Sequence, residues 1–60
     1  MSVVLEPNLA DPDGAYDLIL RAHDGLTKEE SDALNARLIL VLVNHIGDPA
    51  VLAAAIDAAR

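Results

Sequence analysis

Between Leu34 and Ile46 aliphatic side chains occur at almost every helical angle. At 100° per residue Leu34, Leu38, Val41 and Leu42 form one apolar face, and Ala36, Ile39, Leu40, Val43 and Ile46 form another. The polar strip is narrow, with Arg37 and Asn44 one heptad apart and Glu30 a heptad before them. Upstream, Ala15, Tyr16, Leu18, Ile19, Leu20, Ala22 and His23 share half of a helical wheel, opposite Asp13, Asp17, Arg21 and Asp24. Downstream, Val51, Leu52, Ala55, Ile56 and Ala59 make a third, small-residue stripe.

The punctuation between these stripes predicts three helices, near residues 12–24, 28–46 and 49–59. Asp11-Pro12-Asp13 and Asp48-Pro49 each combine a capping carboxylate with a proline suited to the first helical turn. Thr27-Lys28-Glu29-Glu30 has the spacing of a capping box. Gly25 and Gly47 stand where left-handed helix ends are expected, and Gly14 costs the first helix up to about 1 kcal/mol relative to Ala. Asp17 and Arg21 have i,i+4 spacing for an ion pair. Residues 1–10 hold Pro7 and no helical period, so Val3-Val4-Leu5 reads as an extended arm or short strand needing another chain or water for its backbone groups. The expectation is an all-α, three-helix bundle-like domain over 11–60, preceded by the arm 1–10 and completed by oligomerisation.

The middle helix carries the functional expectation. A helix apolar on nearly all sides must be buried on nearly all sides, and two short, Ala-rich neighbours cover one flank. The remainder is expected to form an interface, with Leu38, Ile39, Leu42, Val43, Ile46 and His45 contributing and Arg37 and Asn44 at its polar border. A homodimer is the simplest partner arrangement, because one patch then covers itself around a two-fold axis.

Composition narrows the chemistry. Sixty residues make one domain at most, and a chain this short buries only about 60% of its unfolded surface. There is no cysteine, so neither a disulfide nor a thiolate metal site is available. Ten acidic residues against four basic ones give a formal charge of −6, which argues against nucleic-acid and anionic-membrane partners. The unbroken run of large aliphatic residues, Leu38 to Val43, is too short to span a bilayer. With no basic, apolar leader at the start, the expected location is cytoplasmic. No metalloprotease, dinucleotide or phosphate-loop motif is present, so no catalytic residue, metal ligand or cofactor is assigned. In a hairpin of the first two helices, His23 and His45 would lie at opposite ends, roughly 25 Å apart. Each is therefore read as structural. Asn35 and Asn44 are read as polar groups that set helix register.

Residues 6–48 carry a recognisable arrangement: the entry Pro7-Asn8 to Asp11-Pro12-Asp13, the link Ala22-His23 through Gly25-Leu26-Thr27 to Ser31, and the segment Leu34-Asn35-Ala36-Arg37-Leu38 through Asn44-His45-Ile46-Gly47-Asp48. In these the chain resembles a small bacterial family, domain of unknown function 2783. That resemblance brings no catalytic residues with it. It implies an accessory role beside flavin-dependent aromatic hydroxylases or related catabolic enzymes, so a larger enzyme is a second expected partner.

Overall fold

The computed structural model describes residues 3–60. Met1 and Ser2, the start of the expected arm, lie outside the described residues. Among the described residues the elements are α1 (Pro12–Ala22), α2 (Lys28–Ile46) and α3 (Pro49–Ala59), with no strand. The all-α fold and its three helices are those the hydrophobic pattern predicts.

Each helix begins on the cap its sequence supplies. Asp11 Oδ1 accepts from the Gly14 N–H at 3.0 Å. At α2 the box closes in both directions: the Glu30 N–H donates to Thr27 Oγ1 at 3.1 Å, and the Thr27 N–H donates to Glu30 Oε1 at 2.9 Å. Asp48 Oδ1 takes the Ala50 N–H at 2.9 Å. The end of α2 is equally well defined. Gly47 adopts φ 74°, a left-handed conformation that a side chain would disfavour, and its N–H returns to the Val43 carbonyl at 2.9 Å.

The end of α1 differs from expectation. Helical geometry stops at Ala22 rather than Asp24, and His23 is the C-cap. Here the backbone tightens: the His23 N–H bonds Leu20 O, and the Asp24 N–H bonds Arg21 O, both at 3.1 Å. These i→i+3 bonds replace the last α-helical turn. The Leu26 N–H then bonds the His23 carbonyl at 3.2 Å, and Gly25, at φ 75°, lies within that turn.

Packing is looser than the bundle-like expectation in one respect. α3 folds back on α2 through the two-residue link Gly47-Asp48, with Val51, Leu52, Ala54 and Ala55 half-buried. α1 packs against neither helix, so of the two expected neighbours only α3 covers a flank of α2. Between α1 and α2 lie the tight turn after Ala22 and a side-chain contact of His23 with Asn35. Residues 3–10 follow an unpaired path, with Val3 half-buried and Val4, Leu5 and Leu9 exposed.

The outcome is a molecule of 38 × 24 × 21 Å with a radius of gyration of 13.2 Å. A compact chain of this length would have a radius near about 10 Å. Among the described residues none is fully buried.

Candidate functional site

The uncovered surface of α2 is the feature this fold leaves open. Of the residues expected at an interface, Leu38 and Val43 are half-buried, while Ile39, Leu42 and Ile46 are exposed. Arg37, Asn44 and His45 are exposed too. The structure therefore divides the set. Val43 lines, with Asn44, Gly47, Asp48, Pro49 and Leu52, an open hollow where α3 turns back on α2. Val43 thus sits beside α3 residues, whereas Ile39 is 58% exposed.

Leu40 and Val41, outside the expected interface set, are the most exposed large aliphatics of α2, at 68% and 65%. Periodicity places both on apolar faces but does not say which faces a neighbour covers. α1 adds a second uncovered surface: Tyr16, Leu18, Ile19 and Leu20 are all exposed. The sequence shows that α1 has an apolar stripe, and only the structure shows that the stripe is not spent on its own α2.

Three electrostatic features frame these surfaces. Asp17 Oδ2 and Arg21 Nε pair at 2.8 Å on the polar side of α1, as their spacing predicts, and Lys28 Nζ pairs with Asp32 Oδ2 at 2.7 Å on α2. Both pairs are well exposed, so each contributes no more than about 0.5 kcal/mol. His23 joins α1 to α2. Its Nδ1 lies 2.7 Å from the Ile19 carbonyl oxygen and its Nε2 lies 2.8 Å from Asn35 Oδ1. Both ring nitrogens thus face oxygens, an arrangement that suits the doubly protonated ring donating twice. The Ile19 carbonyl first, and the Asn35 amide second, raise the His23 pKa above its ordinary value. Asn35 thus meets His23, just beyond the end of α1, within the same chain. His45 has no such role here.

Nothing in this arrangement gathers reactive groups. Among the described residues no three His, Asp or Glu side chains converge as metal ligands would. No helix among them is long and apolar enough to cross a membrane.

Residues 3–60 match the model of a family described as protein of unknown function (DUF2783). Neither the curated proteins nor the solved structures contain a match to this chain.

Proposed function

This chain belongs to the DUF2783 family, and we propose that it works there as a non-catalytic helical interaction module, pairing with a second copy of itself through α2. The observation that carries this reading is the uncovered aliphatic run Ile39–Leu42 in a fold where none of the described residues is fully buried. Burying a side chain of this kind stabilises by about 1.5–3 kcal/mol relative to leaving it in water. The whole stability of a domain this size is on the order of 3–9 kcal/mol. At 49–68% exposure these four side chains each forgo roughly half to two thirds of that burial gain, a sum still comparable to everything that keeps the fold together.

Surface area supports the same reading. The chain exposes 5217 Å², whereas a compact monomer of its mass would expose roughly 3,700 Å². The difference, about 1,500 Å², exceeds the roughly 800 Å² that each partner gives to an interface of standard size. A second copy offers a matching patch by symmetry.

Mass in solution tests the proposal. The parent should scatter light at twice its 6.3 kDa chain mass. Leu40→Glu, outward on α2, should return it to the monomer mass or unfold it, because a carboxylate buried without a partner costs several kcal/mol. Leu40 is a better probe than Val43, whose half-buried side chain also serves the α2–α3 corner. A parent that stays monomeric at micromolar concentration and tolerates Leu40→Glu without loss of stability overturns the reading. A parent that is monomeric alone but is recovered on a larger enzyme through the same face would make it an accessory subunit instead.

A further inference from the structure

We infer that α1 is the other half of the interface: in the paired molecule the apolar stripe of each α1 lies across α2 of the second copy. This deepens the self-pairing proposed above and rests on it.

Two uncovered surfaces in one chain call for each other, but they do not meet within it. Tyr16, Leu18, Ile19 and Leu20 stand exposed on α1, with Leu18 at 72%, while the opposite side carries the Asp17–Arg21 ion pair. That is the pattern of a helix with one face in water and one against protein. Its own α2 is not beneath it. The backbone bonds after Ala22 and the His23–Asn35 contact hold the connection between the helices, so the stripe is presented outward.

Area favours the second copy as occupant. A helix laid along the 19 residues of α2 covers a strip about 28 Å by 10 Å. The surplus accessible surface of about 1,500 Å² is about twice the roughly 800 Å² per partner of a standard interface, so it leaves room for a second contact element beside that strip. Adding α1 widens the contact on both sides at once, because the two-fold axis repeats it: each copy gives one stripe and receives one. Charge does not oppose the contact locally. Neither Leu18–Leu20 nor Leu38–Val43 includes an ionisable residue, and the acidic groups of α1 fall on its other face.

The test uses the full chain, mixing methyl-labelled with unlabelled copies and recording intermolecular nuclear Overhauser effects. Contacts from Leu18 and Ile19 methyls of one copy to Leu40 and Val41 methyls of the other are expected. In parallel, Leu18→Gln should weaken self-association by at least about tenfold, whereas Asp13→Asn, on the polar side, should not weaken it. A dimer without those intermolecular contacts, and indifferent to Leu18→Gln, overturns this inference and leaves self-pairing through α2 standing. A monomeric parent overturns both. The contacts are read on the unaltered protein, so misfolding of the variant would not obscure the answer.

Discussion

Gly14 shows how a residue that looks unfavourable in one dimension has its reason in another. In the first turn of α1 it lowers helix propensity, yet the Asp11 carboxylate folds directly over it to accept its N–H. A Cβ at this position would come within 2.8 Å of Asp11 Cγ, closer still to Oδ2, and the cap would have to swing away. Gly14→Ala should therefore bring little or no net stability, since the gain of about 1 kcal/mol in propensity is offset by the weakened cap. In an Asp11→Ala background the same change should stabilise by about 1 kcal/mol, and urea midpoints of the four proteins in this cycle measure the difference. His23 offers a second residue-scale prediction. Its pKa is raised in the folded chain, so its stabilising contribution is complete below the ordinary histidine value of about 6.5 and is lost as pH rises through the folded value. Once the ring holds one proton, the Asn35 amide must turn its NH₂ toward Nε2 to keep that bond. Titration of the imidazole by NMR should place His23 above its unfolded value. Asn35→Ala should remove part of the shift and leave the larger share due to the Ile19 carbonyl.

At the scale of the elements, the helix starts are local devices and should respond as such. Thr27→Ala and Asp48→Ala should each destabilise by roughly 0.5–2 kcal/mol, and denaturant midpoints equal to the parent's would mean that these caps do not hold the helix ends. Glu30 completes the box at α2, and the Thr27 N–H and then its hydroxyl hold the Glu30 carboxyl below its ordinary pKa. Its share of stability is present above that ordinary value and fades as pH falls through the lowered one. Such local features made most of the fold legible in the sequence. α2 and α3 run over the residues their caps and Gly47 predict, because a cap is a matter of three or four neighbouring residues. The end of α1 was less legible. Gly25 marks a turn, but the backbone already tightens after Ala22, where His23 reaches back to Ile19 and across to Asn35. The candidate surface was legible as surplus and not as geometry. Helical angles identify Leu40, Val41 and the α1 stripe as apolar, while their exposure depends on the direction in which a five-residue connection sends α1.

For the whole molecule, charge and apolar surface act in opposition. Each copy carries a formal charge of −6, so pairing brings like-charged bodies together while removing aliphatic side chains from water. Added sodium chloride should therefore tighten self-association, because it screens the repulsion and leaves apolar burial intact. Sedimentation equilibrium from low salt to about 0.3 M, where the screening length is well under 10 Å, checks the direction, and weaker pairing at higher salt would mean that attractive ion pairs dominate the contact. That none of the described residues is fully buried in one chain also bears on how the protein reaches its working state. If the core exists only between copies, no copy can finish folding before it meets another. Refolding after dilution from denaturant should then show second-order kinetics, with a half-time that shortens as chain concentration rises, and newly made copies would remain vulnerable to proteases until their encounter.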